Sequence, residues 1–320
     1  MKKNSLVWAF LISFLLLAAI PTFVEQFFIT MLIRIMFYGL LAVAFSFLAG
    51  QLGLFSLMVP VFLGISAYTI AILESKEILM FPYSVMVALV ITLAFAAFAG
   101  FLVNRSKEVY FLMLTLVLGQ LVWAIVLQWV SLTKGTNGIS GIEVPHLWGL
   151  GQGSNIGFYY YTLAAFSLVI LGLTALIRSS FGLKLRGIRE SESRMIMLGY
   201  NVALYKWAAF MISSFIAGLA GIFYVYYSGL INPDALSLNS ANQVMIASIF
   251  GGINSIIGAI IGTGIIKTLE IVLSGATQRY LLIIGILFLV LIVFAPKGVV
   301  DILERIINNF RKGSPYDKRR

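Results

Sequence analysis

Apolar runs about as long as a hydrocarbon core is thick recur from one end of this chain to the other, and only one long polar stretch interrupts them. Read in order, they cover 6–20, 28–49, 54–73, 82–103, 109–130 and 157–177. After the polar stretch come 207–228, 243–251 with a weaker continuation to 257, 259–273 and 280–295. The alternation of apolar and polar residues that marks membrane barrels is absent, so the runs predict helices. The expected fold is an all-α polytopic membrane protein with about ten transmembrane helices. Composition agrees: with 61% hydrophobic and 11% charged residues and a mean hydropathy of +1.02, there is too little polar surface to cover a soluble globule.

The same composition empties several function classes. Cysteine is absent, which removes disulfides, thiolate metal sites and thiol nucleophiles, and the single histidine, His146, does not make a metal centre. No paired acids or nucleophile with a base can be picked out, so no catalytic residue, metal or cofactor is expected. The chain also lacks the G-x-x-x-x-G-K-[ST] phosphate cradle; the turn Gly135-Thr-Asn-Gly138 has neither its lysine nor its serine.

Basic residues orient the runs. Lys2, Lys3, Arg105, Lys107, Arg178, Lys184, Arg186, Arg189, Arg194, Lys206, Lys297, Arg305, Arg311, Lys312, Lys318, Arg319 and Arg320 fall on one side of a ten-span path, seventeen of the 22. Short loops rich in Lys and Arg stay cytoplasmic, so both termini are expected there, in the cytoplasmic membrane. Inner-leaflet lipid accounts for the net charge of +10 without nucleic acid.

The chain divides into an N-terminal span with its external link (1–27), a first membrane half (28–177), a polar loop (178–206), a second membrane half (207–296) and a basic tail (297–320). Met1-Lys-Lys before an apolar run resembles a signal peptide, but Ala18-Ala-Ile-Pro21 is a poor cleavage site, and the first span is expected to stay. The group of spans from Phe28 enters from outside and the group from Trp207 from inside, which makes them candidates for inverted repeats. Glycine breaks at Gly50-Gln-Leu-Gly53 and Gly251-Gly252 fall at different places in the two groups.

In the polar loop, Leu185, Ile188, Met195 and Leu198 recur at three- or seven-residue offsets while Arg189 and Ser193 lie on another face. That pattern predicts a short amphipathic helix over 181–198, bracketed by Gly182 and Gly199.

Gly182-Leu-Lys-Leu-Arg-Gly-Ile-Arg-Glu-Ser-Glu-Ser-Arg194, with Leu198-Gly-Tyr-Asn201, Tyr205-Lys-Trp-Ala-Ala-Phe210 and Ala217-Gly-Leu-Ala-Gly221, closely resembles the permease subunits of branched-chain amino acid ABC transporters of the LivM type. Further signatures follow the family's order: Ala49-Gly-Gln-Leu-Gly-Leu-Phe-Ser-Leu57, Phe62-Leu-Gly-Ile-Ser-Ala-Tyr68, Thr133-Lys-Gly-Thr-Asn-Gly-Ile-Ser-Gly-Ile142, Ile249-Phe-Gly-Gly252 with Gly258 and Gly262, and Phe294-Ala-Pro-Lys-Gly298. Met58, Ser66 and Met195-Ile196 depart from the pattern.

The resemblance implies a subunit that passes branched-chain or related amino acids across the membrane. Its partners would be a homologous second permease, two ABC ATPase chains and an extracytoplasmic substrate-binding protein. It also implies that the polar loop is the coupling helix seated on an ATPase, with Arg186, Gly187, Ile188, Arg189, Glu190 and Gly199 as the coupling residues. Urea or other amides are the alternative cargo.

Charges inside spans are scarce. Arg34 lies about two turns from the outer end of its run, and Lys267 and Glu270, three apart, are expected to neutralise each other. An ion-coupled secondary carrier of a small polar solute, the competing mechanism, would need a titrating carboxylate, and Glu270 is the only candidate. Uncharged polar residues are the better lining for a path that must release its cargo: Ser56, Tyr68, Thr115 and Gln120 in the first half, Gln243 and Asn254 in the second.

Overall fold

The computed structural model describes residues 17–18, 21, 25–104, 106–145, 155–277, 279–294 and 298–299. Each apolar run from Phe28 onward carries a helix: α1 (Gln26–Leu52), α2 (Val59–Ser75), α3 (Tyr83–Val103), α4 (Glu108–Gln128), the single turn α5 (Val130–Thr133) and α6 (Asn155–Arg178). The polar loop holds α7 (Ser180–Glu190) and α8 (Glu192–Met197). Beyond it come α9 (Val202–Ser228), α10 (Leu238–Gly251), α11 (Ile256–Ala276) and α12 (Tyr280–Phe294). By length and composition six of these can cross a membrane: α1, α3, α4, α6, α9 and α11. The helices α2, α10 and α12 are shorter, at 17, 14 and 15 residues. Of the run at 6–20 only Leu17 and Ala18 are described, and their carbonyls accept from the hydroxyls of Tyr159 (2.6 Å) and Tyr160 (3.0 Å) on α6. His146, the Ala295-Pro-Lys297 step and the tail from 300 onward lie outside the described residues.

Two helices of 27 residues, α1 and α9, form the centre. A helix apolar all round must be covered all round, and α1 is buried without a gap from Gly39 to Leu52. The pair run antiparallel: Phe37 of α1 stacks on Tyr224 and Tyr227 of α9, and Ser213 donates to the Ala44 carbonyl at 2.8 Å. Small residues let backbones approach, since without hydrophobic drive between helices close packing must supply the attraction. A Cβ at Gly221 would overlap the Leu63 carbonyl of α2. Helices α3 and α4 cover this centre and expose rows of large apolar side chains, among them Met86, Val90, Phe98, Met113, Val117 and Leu121.

Both central helices end alike. Gly53 (φ +72°) and Gly229 (φ +61°) adopt the left-handed conformation that costs glycine least, and each closes the helix with a backbone hydrogen bond. A non-helical link and a shorter helix follow each: 53–58 then α2, and 229–237 then α10. In the second link Leu230–Ile231 (β2) pairs antiparallel with Ile139–Ser140 (β1), Ile139 opposite Ile231. A 3-10 turn over Pro233–Leu236 then sets Leu236 into a notch at Gly64 of α2, where a Cβ would overlap it.

At the loop end of the bundle, α10 and α11 meet through Gly251, Gly258 and Gly262, whose missing side chains allow backbone contact. The weak continuation read from 251 to 257 is a helix break instead. Gly252 turns the chain, and Ser255 caps α11 by accepting from the Gly258 N–H at 3.1 Å. Gly298 lies back on this turn, its Cβ position 2.6 Å from Gly252 Cα.

Candidate functional site

The polar loop folds as two short helices rather than one. Ser191 takes an extended conformation between them and accepts from the Arg194 N–H at 3.3 Å, so α7 stops and α8 starts at the same residue. Leu185, Ile188 and Met195 are buried, as the periodicity predicts. Leu198 is not: it caps α8 and is 66% exposed. Ile196 and Met197 are exposed beside it, Met197 at 83%. Sequence reading missed this pair because it sought only the buried stripe; apolar residues off that stripe, in the most polar segment of the chain, were the available signal.

Each end of the pair is tied down. Ser179 caps α7, and a Cβ at Gly182 would overlap the Ile177 carbonyl at the end of α6. Arg186 donates to the Gly182 (3.4 Å) and Ile177 (3.3 Å) carbonyls, the second of which lies at the negative, C-terminal end of α6. Gly187 faces inward, its Cβ position 2.9 Å from Met195 Sδ on α8. Lys184 donates to the Tyr205 hydroxyl at 2.9 Å; that hydrogen bond holds its ammonium above the ordinary lysine range. Lys206, on the first turns of α9 and only 5% exposed, reaches Glu192 Oε2 at 2.7 Å. Glu190 is exposed, and Gly199 (φ +84°) has open space around it.

Arg189 is exposed, but its guanidinium reaches back to the ends of the membrane helices. Its Nη1 donates to the Gly50 carbonyl on the last turn of α1 and to Asn254 Oδ1 at 2.8 Å. Its stem lies over Gly53, whose Cβ position is 3.4 Å from Arg189 Cγ. A cavity of about 620 Å³ opens beside it, lined by Leu54, Tyr110, Ile188, Glu192 and Lys206 among others.

The residues read as a pathway do not converge on one place. Thr115 accepts from the Leu57 N–H at 3.4 Å, and Ser56 lies buried one residue earlier, so these two meet at the 53–58 link. Tyr68 is buried with its hydroxyl unpartnered among the described residues, and Gln120 is half-buried on α4. Asn254 sits on the exposed turn with Arg189. Gln243 joins the charges instead, accepting from Lys267 at 3.3 Å.

Those charges form one cluster. Lys267, only 4% exposed, meets Glu270 at 2.6 Å, the pair that the three-residue spacing predicts, and lies 3.9 Å from the Tyr38 ring centroid. Arg34 reaches the other Glu270 oxygen at 3.6 Å. Glu270, the carboxylate that a proton-coupled carrier would need, is thus held between two cations. Among the described residues no group of acids or histidines could hold a metal.

The family described as the permease component of the branched-chain amino acid transport system matches residues 27–295. The chain belongs to that family. It is 27% identical to the high-affinity branched-chain amino acid transport permease LivM of Escherichia coli K12, over 95% of this chain and 78% of that one. LivH of the same organism is 29% identical over 54% of this chain and 59% of its own. A nucleoside ABC transporter permease of Lactococcus lactis, NupC, is 31% identical over 26% of this chain and 27% of its own. No solved structure matches. Family membership makes the chain a transport component and decides against the ion-coupled carrier.

Proposed function

We propose that the chain is one membrane subunit of an ATP-driven importer that passes branched-chain or related amino acids across the cytoplasmic membrane. A homologous second permease, two separate ATPase chains and an extracytoplasmic binding protein complete the machine. Both termini and the 178–206 loop face the cytoplasm, where anionic lipid meets the basic residues.

The observation that carries this reading is the α7–α8 pair in a chain of this family. One side of it is buried, and the other offers Ile196, Met197 and Leu198 to water. An exposed apolar patch among charges calls for a protein partner. The patch and Glu190 form the face presented to an ATPase groove; Arg186, Gly187, Ile188 and Gly199 set the shape of the segment behind it.

The two halves are read as inverted repeats, α1 with α2 answering α9 with α10. Equal lengths of 27 residues, antiparallel packing and left-handed glycine ends support the correspondence. The links 53–58 and 229–237 are then the matching breaks, and cargo passes beside them, near Ser56, Thr115 and Gln243.

The test is uptake of labelled leucine in cells carrying the whole system. It should stop when the ATPase is inactivated and continue when the proton gradient is collapsed. Uptake that follows the gradient overturns the mechanism; uptake of a nucleoside in place of leucine overturns the cargo. A reporter fused after Arg194 should read cytoplasmic and one within 133–145 external.

A further inference from the structure

We infer that Arg189 is a positioning residue that fastens the coupling segment to both membrane halves at once, rather than a contact with the ATPase. The inference rests on the reading above. The last turn of α1 belongs to the first half and the 252–255 turn between α10 and α11 to the second. These two already touch: Ser46 donates to the Ile253 carbonyl at 2.6 Å, and a Cβ at Gly50 would meet the same oxygen. Arg189 closes the third side, with one nitrogen shared between Gly50 O of α1 and Asn254 Oδ1 of the turn.

The acceptors suit a joint that can break and re-form. The Gly50 carbonyl is one of the last four of α1, which have no partner within their own helix, and a cation there also meets the negative end of the helix dipole. Gly53 leaves the arginine stem room to lie flat. Two carboxylates stand close by, Glu190 next in sequence and Glu192 across the cavity, yet Arg189 forms no salt bridge among the described residues. Glu192 is taken by Lys206. Both acceptors of the guanidinium are neutral, so the joint can open and close without leaving a buried carboxylate unpaired.

Both bonds leave from one nitrogen, Nη1, whose two N–H directions are fixed in the guanidinium plane; a lysine ammonium has enough donors but carries them on a flexible stem with no fixed direction. When an ATPase displaces α7, the pull reaches α1 and the α10–α11 turn together through this one side chain.

The experiment measures uptake per ATP hydrolysed in complexes reconstituted with loaded binding protein, with co-purification of the ATPase as a second readout. Arg189→Ala should lower uptake per ATP by about tenfold, the scale of a lost charge-assisted bond, while the ATPase still co-purifies. Asn254→Ala should lower it by a smaller factor, Arg189→Lys should restore part of the loss, and the Arg189→Ala/Asn254→Ala pair should be no worse than Arg189→Ala alone. Loss of the ATPase from Arg189→Ala complexes would make the residue a docking contact and overturn the inference. Unchanged coupling in Arg189→Ala, or strictly additive losses in the pair, would overturn it too. A parent complex with no ATP-dependent uptake would sink the importer reading itself, which separates the two failures.

Discussion

Lys267 and Glu270 form an ion pair of 2.6 Å whose ammonium is almost wholly removed from solvent, one helical turn apart on α11. Removing one partner of such a pair leaves the other buried and uncompensated, which costs about 3–5 kcal/mol, whereas replacing both by apolar groups can be nearly neutral. Glu270→Leu should therefore lower the thermal stability of the purified chain sharply. Lys267→Met/Glu270→Leu should recover most of it. Equal stability of parent and Glu270→Leu would show that the pair is solvated.

Leu236 occupies the space a side chain would take at Gly64. Gly64→Ala should destabilise by about 1–3 kcal/mol, the cost of overpacking. Because the obstacle is a side chain, Leu236→Ala in the same protein should return part of that loss. Gly221→Ala meets the Leu63 backbone carbonyl instead and should find no such rescue. Melting temperatures of the three variants decide the matter.

Met197 is the most exposed apolar residue of α8. Met197→Asp should leave insertion intact, since the basic residues of the loop still hold it inside, but strip the ATPase from the purified complex. Co-purification at the parent level would remove the patch from the interface.

Gly187 packs against Met195, so a larger residue there should act by prising α7 from α8. Gly187→Val is expected to lower uptake per ATP by at least about threefold, and Met195→Ala to restore part of it, because the obstructing sulfur is the far end of a flexible chain. Failure of that rescue would return Gly187 to the docking face.

Much of this was legible in the residues. Apolar runs gave the helices from Phe28 onward because length and hydropathy are local properties. The ends shifted where the signal was a cap: α9 begins at Val202, not at Trp207, since Asn201 accepts from the Leu204 N–H and carries the helix through Lys206. The paired links were harder. Gly50-Gln-Leu-Gly53 marks one helix end, and the similar end at Gly229 carried a weaker signal, Asn232-Pro233. Gly251-Gly252 drew attention for a different reason, the close crossing of α10 and α11. Leu198 fell on the wrong face because its spacing from Met195 is helical while the helix itself ends one residue earlier. Ser56, Gln243 and Asn254 were chosen for polarity alone, and polarity does not say which neighbours a side chain meets.

The two-stranded ribbon of Ile139–Ser140 and Leu230–Ile231 lies at the opposite end of α9 from the coupling segment, a separation of about 40 Å for 27 residues. Its hydrogen bonds run from backbone to backbone and hold the link after α5 to the link after α9. In the proposed transport cycle such a seam would act as a hinge pin and the long helices beneath it as levers. A rotation of about 5° at the pin sweeps the far end through about 3.5 Å, the outer limit of a hydrogen bond. A change of that size, if α7 follows the near end of α9, would part Arg189 from Asn254.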